Sequence, residues 1–174
     1  MSKGIEKIEQ KILTLDKLQS LVALWKKNGD RVVFTNGCFD VLHQGHVDYL
    51  IKSSDCGNRL VVAVNSDRSV KSLNKGVNRP INKEYSRAFI IASLFCVDAV
   101  VVFDETTPDK TIKNLLPNVL VKGADYDATV MNPNDSRYIV GSDIVRSKGG
   151  EIITIDLKEG FSSTSIINRI RERD

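Results

Sequence analysis

The chain is expected to fold as an α/β protein, with a parallel sheet of about five strands and helices on both faces. Two observations carry this expectation. Short apolar runs alternate with helical patterns along the sequence, and parallel strands need crossover connections of that kind. The run Arg59-Leu60-Val61-Val62-Ala63-Val64 is almost unbroken in its hydrophobicity, as in a strand covered on both faces.

The elements follow in order. Residues 3–11 mix Lys and Glu in balance and read as a solvated or frayed N-terminus. Thr14 caps a first helix whose stripe is Leu15, Leu18, Leu21, Val22 and Trp25, and Asn28-Gly29 stops it. A strand over 31–34 ends at the turn Thr35-Asn36-Gly37. A helix begins near His46, with Val47, Leu50 and Ile51 on one side, and runs to about Cys56-Gly57. The second strand, 59–64, ends in Asn65-Ser66-Asp67; residues 69–80 form a short helix and a loop. Asn82 caps a helix reaching about Cys96, followed by a strand over 99–103, a helix over 108–115 and a strand over 118–121. After an irregular polar stretch come a short helix over 139–148, the Gly149-Gly150 turn and a fifth strand over 151–155. Ser162-Ser163-Thr164-Ser165 caps a last helix ending around Arg171. Residues 1–174 are read as one domain, with 1–30 a helical extension packed on it.

Composition narrows the function. The 174 residues are 41% hydrophobic and 27% charged, as in a soluble globular protein, and the net charge of +3 is small. With no basic block, nucleic acid is not an expected partner. Three widely spaced cysteines, Cys38, Cys56 and Cys96, argue for a reducing compartment and against a disulfide framework or zinc knuckle. No apolar stretch has membrane-spanning length and no signal-peptide pattern follows Met1, so the cytoplasm is the expected location. Apolar residues on the first helix serve either core packing or a contact between copies, which leaves a homo-oligomer open.

In open parallel sheets ligands bind beyond the carboxyl ends of the strands. That gathers Thr35–His46, Asn65–Asp67, Lys122–Tyr126 and Asp156–Ser165 at one edge. The first of these holds both histidines of the chain, His43 and His46, at the start of a helix. Unpaired N–H groups and the helix dipole favour an anion there, two imidazoles at i and i+3 share a face, and Gly45 lets the bound group approach the backbone.

Gly37-Cys38-Phe39-Asp40-Val41-Leu42-His43-Gln44-Gly45-His46 resembles the signature of the cytidylyltransferase-like nucleotidyltransferases. Within that superfamily Thr35-Asn36-Gly37-Cys38-Phe39-Asp40 combined with Val121-Lys122-Gly123-Ala124-Asp125-Tyr126 is similar to the heptose 1-phosphate adenylyltransferases of ADP-heptose synthesis. Lys75-Gly76 with Arg79-Pro80, Gly141-Ser142-Asp143 and Glu159-Gly160-Phe161-Ser162-Ser163-Thr164 extend the likeness over most of the chain. It implies a Rossmann-like nucleotidyltransferase fold and transfer of an adenylyl group from ATP, with Mg²⁺, to D-glycero-β-D-manno-heptose 1-phosphate. The products are ADP-heptose, for surface glycan or lipopolysaccharide core, and pyrophosphate. The chain resembles the stand-alone form of the enzyme, which works downstream of a separate sugar kinase.

The resemblance also implies roles. His43 and His46 donate to the triphosphate, and Thr35, Asn36, Gly37, Cys38, Phe39 and Asp40 cradle it through backbone N–H groups. Cys38 packs rather than attacks, since direct displacement needs no nucleophilic side chain. Asp40 either caps the loop or touches the metal, for which no protein ligand is assigned. Lys75 neutralises phosphate, with Lys71 its rival and Arg79 beside it. Arg87 either reaches the phosphates or pairs with Glu84. Lys122, Gly123 and Asp125 read adenine, ribose or sugar, while Gly123 alternatively supplies a positive φ. Ser162, Ser163 and Thr164 hold β,γ-phosphate or pyrophosphate at a second helix N-terminus. Asn65 and Asp67 are further candidates on the substrate side. The stretch 127–138 is longer than usual for the family and lies on the presumed sugar side. A cytidylyltransferase acting on glycerol 3-phosphate is the alternative, weakened by Leu157-Lys158 where such relatives carry Arg-Thr. A nucleotide-binding scaffold on the same fold is the non-enzyme reading.

Overall fold

The computed structural model describes residues 2–73 and 78–172. The long apolar run forms the strand β3 (Arg59–Asn65), buried from Leu60 onward because it is covered on both faces. Beside it lies β2 (Val32–Gly37), which pairs in parallel with β3 on one side and with β5 (Val119–Gly123) on the other. The sheet extends through β4 (Ala99–Phe103) to β1 (Ile12–Leu13) at one edge, and through β5 to β6 (Glu151–Ile155) at the other. The order is β1-β4-β3-β2-β5-β6, and every pairing is parallel.

Alternation along the strands sends side chains to two separate cores. Leu60, Val62 and Val64 of β3 face α3 (Gln44–Ser54) and α5 (Glu84–Ala92), packing with Leu50 and Ile91. Val61 and Ala63 face the other way, with Phe34 of β2. They meet Leu18 and Val22 of α2 (Leu15–Lys27), Ile112 of α6 (Asp109–Leu115) and Val145 of α7 (Ser142–Ser147). Among the described residues three further helices occur: α1 (Lys3–Glu9), α4 (Asp67–Ser72) and α8 (Ser163–Arg171).

Three expectations need correction. The sheet has six strands rather than five, because Ile12–Leu13 adds an edge strand beside β4. Two residues are too few to show a period. Their pairing is fixed instead by long-range bonds, with Val100 N–H donating to Lys11 O (2.8 Å) and Lys11 Nζ donating to Val97 O (2.7 Å). The balanced Lys/Glu segment is solvated as expected but not frayed: it forms a helix, α1, with no buried residue. Finally, Asn82 does not cap α5: the N-cap is Lys83, without a side-chain bond, and the helix ends at Ala92 rather than near Cys96. The Asn82 amide donates to Asp40 O at 2.6 Å instead.

Among the described residues no helix is long and apolar enough to cross a membrane. The fully buried Phe34 is central to the second core. Phe34→Ala should cost ~3–5 kcal/mol of unfolding free energy, measured by urea denaturation.

Candidate active site

The carboxyl ends of the strands open into a cleft of about 730 Å³. Its floor is the loop leaving β2. There Phe39 adopts φ 47°, a left-handed conformation that a bulky residue takes only when its surroundings enforce it. The surroundings do so. The Phe39 ring is buried, meets the His46 ring edge-on at 5.4 Å, and lies where a Cβ on Gly37 would stand only 3.0 Å away.

Asp40 then ties the loop to a distant segment. It is 2% exposed, its Oδ1 accepts from the N–H groups of Ile81 (2.8 Å) and Asn82 (2.9 Å), and its Oδ2 pairs with Arg79 Nε at 2.7 Å. Arg87 braces the same loop from behind. This guanidinium is fully buried, donating to Cys38 O (2.7 Å) and Asn82 O (2.9 Å) and pairing with Asp67 Oδ1 (2.8 Å). Neither expected role of Arg87 is therefore seen: it does not line the cleft, and its carboxylate partner is Asp67 rather than Glu84. Glu84 accepts from the Asp67 N–H.

The helix α3 starts two residues earlier than the apolar pattern suggests, with His43 as its N-cap. The His43 ring does not cap. It stacks on His46 at 3.8 Å, with Phe161 on its far side at 6.2 Å. Gly45 also makes room within the fold: a Cβ there would lie 2.9 Å from Phe161 Cβ and 3.2 Å from the His43 ring. His46 lines the cleft and His43 stands behind it. Burial holds the His43 imidazole below its usual pKa.

Other predicted residues divide the same way. Asn36, Gly37, Cys38, Asn65 and Arg79 line the cleft, as do Lys122, Gly123 and Asp125 after β5. Lys122 Nζ donates to Asn36 Oδ1 (2.7 Å) and lies 5.1 Å from the Tyr126 ring. Gly123 has no positive φ; it spares space, since a Cβ would come within 2.6 Å of Asp125 Oδ1. Ser163 and Thr164 line the opposite wall at the start of α8. Ser162 is its N-cap, accepting from Ser165 N–H, and Ser163 Oγ donates to Val41 O at 3.1 Å. Thr35 is fully buried under the floor, bonded to Tyr49 OH at 2.7 Å, and Asp67 and the exposed Lys71 lie outside the lining. Lys75 lies outside the described residues. None of residues 127–138 lines the cleft.

The wall also contains residues given no role from the sequence: Tyr49, Tyr126, Leu157, and Thr106-Thr107-Pro108 after β4. The last group had a usable signal, since Asp104-Glu105-Thr106-Thr107 is a polar stretch at a strand's carboxyl end like the four already singled out.

Comparison with known proteins identifies the family. Residues 34–169 match the cytidylyltransferase-like family, and the chain belongs to it. The bifunctional protein HldE of Azorhizobium caulinodans is 51% identical over 87% of the chain and 30% of its own length. That of Koribacter versatilis is 46% identical over 92% of the chain and 31% of its own length. The chain thus spans about a third of the curated relatives it matches. A crystal structure of a lipopolysaccharide core biosynthesis protein from Thermoplasma volcanium superposes with a TM-score of 0.56 at 27% identity, over 75% of this chain and 98% of that one. The pantoate-beta-alanine ligase of Francisella tularensis shares the fold alone, at TM-score 0.58 and 15% identity over 92% of this chain and 77% of that one.

Two outcomes test the geometry. Arg87→Leu strands two carbonyls and a carboxylate, and should lose ~3–5 kcal/mol of stability in urea unfolding. In an NMR titration of the free protein, His43 should have its midpoint below the usual 6.5. Because folding then disfavours the charged ring, the stability contribution of His43 is present above that unfolded value and falls as pH drops below it.

Proposed function

We propose that the chain transfers the adenylyl group of ATP to D-glycero-β-D-manno-heptose 1-phosphate, giving ADP-heptose and pyrophosphate for a surface glycan or lipopolysaccharide core. The carrying observation is the meeting of two helix N-termini at one cleft: α3 with His46, and α8 with Ser163 and Thr164, joined by the Ser163–Val41 bond. Two positive dipole ends suit a triphosphate, which carries its charge over several oxygens. The likeness to the HldE proteins and to the Thermoplasma lipopolysaccharide protein supports the choice of acceptor.

In this reading an oxygen of the acceptor phosphate attacks the α-phosphorus in line. The new P–O bond forms as the bond to the β-phosphate oxygen breaks, and the electron pair leaves with pyrophosphate. The chain positions the partners and stabilises developing charge. His46 and, once it turns from its stack, His43 donate to phosphate oxygens. Backbone N–H groups of residues 36–39 and of the α8 N-terminus take the rest, and Lys75 completes the neutralisation. Lys122, Gly123 and Asp125 hold the nucleoside.

Mg²⁺ would accompany ATP and offset the triphosphate charge, bound chiefly by phosphate oxygens and water. Among the described residues no cluster of three His, Cys, Asp or Glu is placed for a metal. Asp40 does not fit as its ligand, because both carboxylate oxygens are already engaged. A sugar kinase reaction supplies the acceptor, and the three free thiols suit a reducing cytoplasm.

Pyrophosphate release with Mg²⁺ tests the reading, pairing ATP or CTP with heptose 1-phosphate or glycerol 3-phosphate. Turnover is expected only with ATP and the heptose phosphate; turnover with CTP or glycerol phosphate instead would overturn the assignment. His46→Ala should lower kcat by roughly 10²–10³-fold while the protein stays folded, checked by circular dichroism.

A further inference from the structure

The cleft extends past the histidine loop to the end of β4, where Thr106, Thr107 and Pro108 form its wall. This corner is built and held. The Ser69 side chain, 1% exposed, accepts from the Asn65 amide at 2.9 Å and donates to Glu105 O at 2.7 Å, so it links the loops that follow β3 and β4. A second link runs from Ser66 Oγ to Asp104 Oδ1 at 2.5 Å, and Ser66 N–H donates to Phe103 O at 2.8 Å. The two threonines therefore stand on a braced loop, and Asn65, whose amide keeps one N–H beyond its bond to Ser69, lines the same cleft.

Sheet order gives this corner a direction. The strand β4 is two places from β2, on the side away from β5 and β6, so its end lies roughly 10 Å from the histidine loop. The chain segment leading to α8 departs from β6, on the opposite side. An in-line displacement at an α-phosphorus beside His46 needs its attacking and leaving oxygens on opposite sides. With pyrophosphate leaving toward the α8 N-terminus, the acceptor enters from the β3–β4 side.

Resting on the adenylyl-transfer reading, we propose that Thr106 and Thr107, with the Asn65 amide, form the subsite that reads the hydroxyl groups of the acceptor sugar. Two hydroxyls and an amide offer donors and acceptors together, which suits a polyol and gives no preference for phosphate. The threonines touch the acceptor's far end rather than the reacting atoms, so they set which sugar phosphate is used.

The test compares Thr106→Val and Thr107→Val, which keep the β-branched shape and remove the hydroxyl, with Thr106→Ser, which keeps it. Each valine variant should raise KM for heptose 1-phosphate by roughly three- to ten-fold, the worth of one hydrogen bond. KM for ATP and the unfolding temperature should stay unchanged, and Thr106→Ser should behave as wild type. A rise in KM for ATP instead, or no change for either substrate, would overturn the subsite. If the wild-type protein releases no pyrophosphate with any pair, the adenylyl-transfer reading fails separately. Calorimetric titration with heptose 1-phosphate then decides the subsite. Weaker binding by the valine variants upholds it, and equal binding or none at all overturns it.

Discussion

The burial of the Asp40 carboxylate is the constraint on which the cleft depends. A carboxylate at 2% exposure is costly unless its charge is paired and hydrogen-bonded, and here Oδ1 accepts from two backbone N–H groups while Oδ2 forms an ion pair with the Arg79 guanidinium. Those donors come from residues 79–82, some forty positions away, so satisfying the charge also fastens that segment to the histidine loop. Arg87 repeats the device on the other side, binding the Cys38 carbonyl and the Asp67 carboxylate from within the fold. The left-handed Phe39 between them is held by packing on Gly37 and His46.

One consequence is electrostatic. Two of the acidic groups near the loop, Asp40 and Asp67, are offset by Arg79 and Arg87, so they do not oppose an incoming anion with full charge. Under the adenylyl-transfer reading, the attraction for phosphate falls, among the described residues, to the N-termini of α3 and α8, the His46 ring and the Lys122 ammonium. The placement of α8 rests on few contacts, since most of its described residues are exposed or half-buried. The Ser163–Val41 bond and the seating of Phe161 against Gly45 are what bring it to the histidine loop. Gly45 thus serves the assembly of the site from its two halves.

The sequence by itself determined the alternation of strands and helices and the parallel sheet. The physical reason is local: a strand buried on both faces must be apolar throughout, and an amphipathic helix must repeat at 3.6 residues. The same locality made the strand-end polar stretches, the helix caps at Thr14 and Ser162, and the placing of the histidines at a helix N-terminus legible. What only the tertiary structure decided was the direction in which each polar side chain is satisfied. Asn82 looked like a helix cap and turned to Asp40, and Arg87 looked like a surface or phosphate group and became an internal brace. Thr35 sank beneath the floor to bond Tyr49, and the two-residue β1 was made a strand by its neighbour rather than by its own composition. Each of these outcomes depends on partners many positions away in the chain. A buried polar group must find a partner wherever the fold brings one, and no local pattern records where that is.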